Sequence, residues 1–542
     1  MTHPTVHAAF AASAARTPEA EFLCVEPVTA ASYGIEAAGI RWREAVAEVD
    51  RLREAYARAG YGHGHRVGLL LENRPAFLYH WFALNALGVS VVPINAEMRA
   101  AELAYLIGHS GIELAVSLPQ RADDLRAAAQ REGATLDVMQ ASDPEVPPAR
   151  GPAPRAHEPV GPNTECALLY TSGTTGRPKG CMLGNEYFIR AGEWYAGLDG
   201  VCEVRRDRER IITPLPLNHV NAMAFSTMVI LVAGGCLIQL DRFHPKSWLH
   251  SVRETGATIV HYLGVMPAML LAAPASPSDR EHAVRWAFGA GVDRRNHGVF
   301  EERFGFPLVE AWAMTETGAA ACVMANHEPR HIGTSSFGRP EDFVELRLID
   351  EAGADVPVGA PGELLVRSAG PDPRRYFFSG YLKDEAATQE AWADGWFHTG
   401  DMVRRESDGS LCFVDRKKNV IRRSGENISA VEVESVLNQH PAVKSSAVAA
   451  TPDAVRGDEV LACIVLHEAV SVEARSAMAL SIVAHALDQL AYYKAPGYVA
   501  FVDALPLTAS QKIQRGELRV LAQALPGQVH CIDTRGLKKR QG

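Results

Sequence analysis

Short apolar runs recurring between glycine-ended helical patterns constrain this chain more than any other feature of its sequence. Residues 67–72 read VGLLLE, Pro75 opens a helical pattern that closes at Gly88, and 89–94 (VSVVPI) is strand-like again. This is a βαβ unit. The rhythm returns at 211–216, 236–240, 258–264 and 284–290. Such runs lack the alternation of a half-solvated strand, so the strands are expected to be covered on both faces, in mainly parallel, doubly wound sheets. The fold class is therefore α/β. The stretch 222–240 (AMAFSTMVILVAGGCLIQL) approaches membrane length, but Gly234 and Gly235 divide it and Ser226, Thr227 and Gln239 interrupt it. It reads as a buried helix turning into a buried strand, not as a membrane span.

Two changes of texture divide the chain. Seven prolines fall within residues 143–162, which excludes a helix or a central strand and implies a surface crossing. Cys166 then begins a new strand. From about residue 333 the text becomes β-rich with glycine turns (GRPEDFVELRLID, PGELLVR), as in a small barrel-like subdomain. Beyond it, helices are expected near 430–439, 474–489 and 514–523 and strands near 444–450, 460–466 and 498–503. That mixture suggests a separate α+β domain.

A net charge of −10 offers no basic face for nucleic acid. Nine scattered cysteines without a CxxC pair signal neither a disulfide framework nor a zinc site, and they fit a reducing cytoplasm. The N-terminus lacks the charged start and apolar run of a secretion signal. Lys538, Lys539 and Arg540 read as a frayed, solvated end.

One loop stands apart. LLYTSGTTGRPKGCML, residues 168–183, holds five hydroxyl-bearing side chains, three glycines and one lysine between apolar flanks. A Walker loop needs GxxxxGK[ST] opening a helix, whereas Lys179 here is followed by Gly180 and a strand-like CML. Small side chains, hydroxyl donors, exposed amides and a lysine can wrap a triphosphate. They can equally form a polar hairpin with no ligand, and composition leaves both readings open.

The run TSGTTGRPKG resembles the phosphate-loop signature of the adenylate-forming superfamily: acyl-CoA synthetases, luciferases and peptide-synthetase adenylation domains. Further motifs of that family follow in order: WAMTET at 312–317, DGWFHTGD at 394–401, DRKKNVIRRSGENISAVEVE at 415–434 and LPLTASQKIQR at 505–515. In overall texture the chain is most similar to carnitine- and crotonobetaine-CoA-ligase-like members. The resemblance implies a large N-terminal domain (1–414) binding AMP and the acyl group, a hinge (415–418), and a smaller mobile C-terminal domain (419–542) carrying the catalytic lysine. It also implies ATP, Mg²⁺ and coenzyme A as cofactors, a carboxylic acid as substrate, a cytoplasmic location, and room for a homodimer.

The same resemblance distributes roles. Thr171, Ser172, Gly173, Thr174, Thr175, Gly176 and Lys179 hold the β- and γ-phosphates, Thr315 meets the α-phosphate, and Glu316 binds Mg²⁺. Trp312 stands where the family has an adenine-stacking tyrosine, and Gly289, Ala290, Glu310 and Ala311 match adenine-contacting positions. Asp401 matches the carboxylate that grips the ribose hydroxyls, and Arg416 and Arg422 match ribose and phosphate contacts. Lys512 is the principal catalytic residue, preceded by Gln511 where glycine is usual. Lys418 is the hinge, and Ser424 and Gly425 form the hairpin that admits pantetheine.

The acyl pocket is expected from His219, Asn221, Phe225, Tyr262, Leu263, Gly264, Ala313 and Met314. No aspartate accompanies residues 218–223, where amino-acid-activating relatives keep one, so a simple carboxylic acid is favoured. Three activities stay open: an acid:CoA ligase, an acyl-adenylate donor to a separate carrier protein, and a catalytically silent nucleotide-binding relative.

Overall fold

The βαβ unit forms with its expected polarity: Arg66–Leu70 and Ser90–Pro93 pair in parallel and are joined by the helix Pro75–Ala86. Pro75 takes the first helical turn, where a missing N–H leaves no hydrogen bond unmade. Gly88, at φ 71°, follows the helix's C-cap in a conformation that favours glycine. The chain was analysed as a computed structural model, which describes residues 2–171, 178–292, 294–350, 352–416, 421–424, 426–428, 430–506, 513 and 515–538. For Val265, Arg295, Asp415, Arg416, Asn427, Val431, Ser435, Arg515 and Gly516 it describes the backbone alone.

Two mainly parallel sheets carry the first 330 residues. One has seven strands, in the order Gly380–Tyr381, Lys179–Gly184, Glu165–Thr171, Ser90–Pro93, Arg66–Leu70, Leu114–Ser117 and Asp137–Gln140. The other has eight: Val323–Met324, Leu308–Trp312, Trp286–Ala290, Ile259–Leu263, Arg210–Thr213, Cys236–Gln239, Glu21–Val25 and Ala38–Arg41. Antiparallel pairs occur only towards their edges.

The continuous apolar runs have the expected cause. Successive residues of one strand enter different cores: Ile211, Leu237 and Ile259 join the core between the sheets, while Ile212, Ile238 and Val260 pack on the outer helices. The stretch 222–240 is a π-helical turn (Asn221–Ser226), a helix (Thr227–Ala233), the glycine pair at positive φ, and a strand (Cys236–Gln239). No helix among the described residues is long and apolar enough to cross a membrane.

The β-rich text after residue 333 forms a five-stranded antiparallel sheet that includes Trp396–Arg405 and Leu411–Arg416. Beyond residue 420 a mixed six-stranded sheet has separate cores on its two faces. One lies against the helices Ala430–Leu437 and Arg475–Gln489, the other against Arg515–Ala524.

The tail departs from the expected frayed end. Cys531–Asp533 adds an edge strand beside Tyr498–Phe501, and Lys538 is buried with its ammonium on Glu459, beside the buried pair Arg423–Glu459. Edge pairing draws the tail inward and supplies the counter-charge that allows burial. Lys539 and Arg540 lie outside the described residues.

Candidate active site

Seven strands of the two large sheets end at one cavity of about 1790 Å³. Asn95, Thr171, Pro214, Asp241, Leu263, Ala290 and Ala311, each at or just past the C-terminal end of its strand, line it. Ligands bind in such crevices because side chains and loops converge there. The far wall is supplied by Arg422, Ser424, Glu426, Tyr493 and Lys494 from the C-terminal part.

The loop hairpin forms one corner. Thr171 ends its strand opposite Lys179, which starts the next. Lys179 Nζ sits 4.7 Å from the ring centre of Tyr381, and the Tyr381 hydroxyl donates to Glu316 Oε1 at 2.9 Å. One aromatic side chain thus ties the hairpin's cation to the carboxylate of WAMTET. The Tyr187 hydroxyl fixes the same turn by donating to the Thr315 carbonyl at 2.9 Å. Thr315 and Glu316 both line the cavity. Ser172, Gly173, Thr174, Thr175 and Gly176 lie outside the described residues.

Strand alternation sorts the next group. Ala311 and Ala313 face the cavity, while Glu310 and Trp312, on the opposite face of the strand, do not line it. The Trp312 indole N–H donates to Asp401 Oδ2 at 2.9 Å, and both residues are buried. Asp401 pairs in register with Arg416 on the neighbouring strand, beside Gly400, which lines the cavity.

Glu310 accepts the Tyr262 hydroxyl at 2.6 Å and the backbone N–H groups of Gly291 at 2.9 Å and Val292 at 3.2 Å. Burial pushes its carboxyl above the usual range against these hydrogen bonds. Tyr262, expected in the acyl pocket, therefore faces away from it and braces the turn at Gly291. Two glycines permit this close fit: a Cβ at Gly264 would meet the Gly291 carbonyl oxygen, and one at Gly289 the Tyr262 carbonyl oxygen.

His219, Asn221, Phe225, Leu263, Gly264, Ala313 and Met314 all line the cavity, as do Gly289 and Ala290. His219 Nε2 lies 3.3 Å from Glu426 Oε2, which comes from the strand Glu426–Ile428 of the C-terminal part. Burial disfavours the imidazolium, but the Glu426 charge outweighs it, so His219 titrates above its ordinary range. Burial likewise opposes the Glu426 charge, and His219 and Lys494 hold its carboxyl below the usual range.

Arg422 lines the cavity with its guanidinium over the Phe413 ring at 5.0 Å, and Ser424 lines it at φ 50°. Gly425, Lys418 and Lys512 lie outside the described residues.

Sequence reasoning missed the groups that join distant segments. Tyr381 is one. Lys494 is another: its ammonium meets Glu102 at 2.7 Å and Glu432 at 2.9 Å, with all three side chains at most 8% exposed, and Asn95 donates to the neighbouring Tyr493 hydroxyl at 3.2 Å. Nothing in the spacing of LAYYKAP announces partners 392 and 62 residues away. Lys494→Met leaves two buried carboxylates without their shared cation. It is expected to cost about 3–5 kcal/mol, seen as a lower melting temperature and faster limited proteolysis of the C-terminal part.

The AMP-binding enzyme family matches residues 10–382, and the AMP-binding enzyme C-terminal domain matches residues 432–512. The chain belongs to the AMP-binding enzyme family. Among curated relatives, the crotonobetaine/carnitine–CoA ligase of Salmonella typhimurium is 28% identical over 485 residues, 87% of this chain and 91% of that protein. Among solved structures, o-succinylbenzoate CoA synthetase from Bacillus subtilis, as a double mutant with a product analogue, shares the fold. Its TM-score is 0.79 at 24% identity, covering 96% of this chain and 98% of that one. A malonyl-CoA ligase product complex reaches 0.71 at 25% identity, covering 90% and 96%.

Proposed function

We propose that this enzyme joins a carboxylic acid to the AMP moiety of ATP, releasing pyrophosphate, and then passes the acyl group to the thiol of coenzyme A, releasing AMP. The observation that carries this reading is the single cavity in which the phosphate-loop hairpin, Glu316 and the C-terminal residues Ser424 and Glu426 meet. Both half-reactions then have their groups in one space. The relatives named as CoA ligases support the choice of acceptor over a carrier protein.

In the first step the carboxylate oxygen attacks the α-phosphorus, and the bond to the β-phosphate oxygen breaks. Lys179 and the loop amides hold the leaving phosphates, Thr315 orients the α-phosphate, and Lys512 neutralises the two anions as they approach. Asp401, already oriented by the Trp312 N–H, accepts from the ribose hydroxyls. No group of three or more His, Cys, Asp or Glu side chains among the described residues forms a metal cage. One carboxylate at the cavity wall fits Mg²⁺, which is held largely by phosphate oxygens. Glu316 would supply that ligand, and the bound ion would stabilise charge on the leaving pyrophosphate.

In the second step the thiolate attacks the acyl carbon and AMP leaves. The contacts of His219 with Glu426, and of Lys494 with Glu102, fit a C-terminal part docked for this step, with Ser424 and Gly425 beside the thiol's path and Lys418 as the hinge. Coenzyme A, ATP and nine unpaired cysteines suit a cytoplasmic enzyme.

The His219–Glu426 pair gives this docked state a pH window. His219 is raised, so its contribution is full below the ordinary histidine range and lost as pH rises through the raised value. Glu426 is depressed, so its contribution is present above the ordinary carboxylate range and lost as pH falls through the lowered value. Thioester formation is expected to lose about 2- to 5-fold as pH rises past the His219 titration, and Glu426→Gln should remove that limb from the pH profile.

The function itself is tested by incubating the purified protein with ATP, Mg²⁺ and a panel of acids, following pyrophosphate release first and loss of the coenzyme A thiol second. Both are expected with one class of acid. Release without thiol loss, relieved by a carrier protein, would replace coenzyme A as acceptor.

A further inference from the structure

Where the strand ends meet the π-helical turn, part of the cavity wall carries no ionisable side chain. Asn221, Phe225, Leu263, Phe288, Ala311 and Ala313 line it there, and Asn221 is the polar side chain among these six. Asn221 opens the π-helical turn, a geometry that tends to mark functional positions. Phe225 and Phe288 flank it, with ring centres 5.5 Å apart.

Behind this wall a buried network fixes how Asn221 is turned. His261 is fully buried and stacked on Tyr195, with ring centres 5.6 Å apart and planes 19° from parallel. Its Nε2 lies 2.8 Å from the Tyr195 hydroxyl, and its Nδ1 lies 2.7 Å from Asn221 Oδ1 and 2.8 Å from Ser226 Oγ. Ser226 Oγ in turn lies 3.4 Å from the Asn221 carbonyl oxygen.

One proton arrangement satisfies every donor. Tyr195 donates to Nε2, Nδ1–H is shared between Asn221 Oδ1 and Ser226 Oγ, and Ser226 donates to the Asn221 carbonyl. The opposite tautomer strands the Tyr195 hydroxyl proton without an acceptor, which is unfavourable in a buried site. Burial holds the His261 pKa down to about 3, so the ring stays neutral at physiological pH.

The consequence falls on the cavity. The Asn221 oxygen is committed inward, so its amide N–H₂ is the end left for the cavity.

We propose that Asn221 Nδ2 donates to an oxygen acceptor on the acyl chain, so that the acid is an uncharged body bearing a carbonyl or ether oxygen beside an apolar or aromatic portion. This rests on the reading of the enzyme as an acid-activating ligase. A plain hydrocarbon acid would cover the amide without pairing it, and sites built to hydrogen-bond a substrate discriminate against the analogue that lacks the partner. Of the carboxylates elsewhere on the cavity, Glu426 is paired with His219, so a cationic acid would compete with that imidazole. His261, Tyr195 and Ser226 act as positioning residues.

The test compares kcat/KM for pyrophosphate release within matched pairs, such as 4-methoxybenzoate against 4-ethylbenzoate and 5-oxohexanoate against hexanoate. The parent enzyme is expected to prefer the oxygenated member of at least one pair by about 10- to 100-fold. Asn221→Leu should bring that ratio close to one, chiefly by losing rate on the oxygenated acid. Tyr195→Phe, which frees the tautomer but keeps the ring, should lower the ratio by about 3- to 10-fold. Each ratio is internal to one enzyme, so partial misfolding of a variant cancels. Equal rates within every pair for the parent, or a preference that survives Asn221→Leu, would overturn the assignment. No release with any acid would instead overturn the ligase reading beneath it.

Discussion

Lys512→Ala is expected to slow acid-dependent pyrophosphate release by about 10²- to 10³-fold, while thioester formation from a preformed acyl-adenylate should keep most of its rate. Electrostatics on the cavity wall explain the split. Bringing a carboxylate to a phosphate requires positive charge exactly while the bond forms, and several cations in the wall are already committed. Lys494 is held by Glu102 and Glu432, and Arg423 and Lys538 share Glu459. A lysine delivered by the motif at 505–515 can meet both anions and then leave. The second half-reaction begins from a mixed anhydride in which that repulsion has already been overcome. Rapid-quench measurement of each half-reaction separates the two effects. Equal slowing of both would remove Lys512 from its special role.

Glu316→Gln is the second large effect, an expected drop of about 10²-fold or more in adenylation. The substitution preserves shape and leaves an oxygen to accept the Tyr381 hydroxyl, so what it removes is charge. The loss should be partly recovered at high Mg²⁺, with the half-saturating Mg²⁺ concentration raised. Tyr381→Phe makes a useful contrast: it keeps the charge and the ring under Lys179 and removes only the hydroxyl that orients the carboxylate. A smaller loss is expected there, with Mg²⁺ affinity less affected. If Glu316→Gln leaves the Mg²⁺ dependence unchanged, the carboxylate does not hold the ion.

What the sequence made legible follows from the range of the forces involved. The strands of the two large sheets are written locally, because a strand covered on both faces must be apolar throughout. The runs TSGTTGRPKG and WAMTET are local too, and each begins where a strand ends. Side-chain facing is harder to read. Tyr262 and Leu263 are neighbours, yet one braces Glu310 and the other lines the cavity, since register decides the face.

Long-range pairs left no local trace. Trp312 finds Asp401 across 89 residues, and Tyr381 finds Glu316 across 65. The tail misled for the same reason. A basic end such as Lys538 is ordinarily solvated, and only the strand Cys531–Asp533 and the waiting Glu459 turn it inward.

The claim beneath the whole account is that an acyl-adenylate forms before the thiol takes part. Exchange of labelled pyrophosphate into ATP, measured without coenzyme A, tests it most directly. Exchange is expected to depend on the acid and to proceed at full rate with no thiol present. Exchange that is absent for every acid, or that begins only when coenzyme A is added, would contradict it.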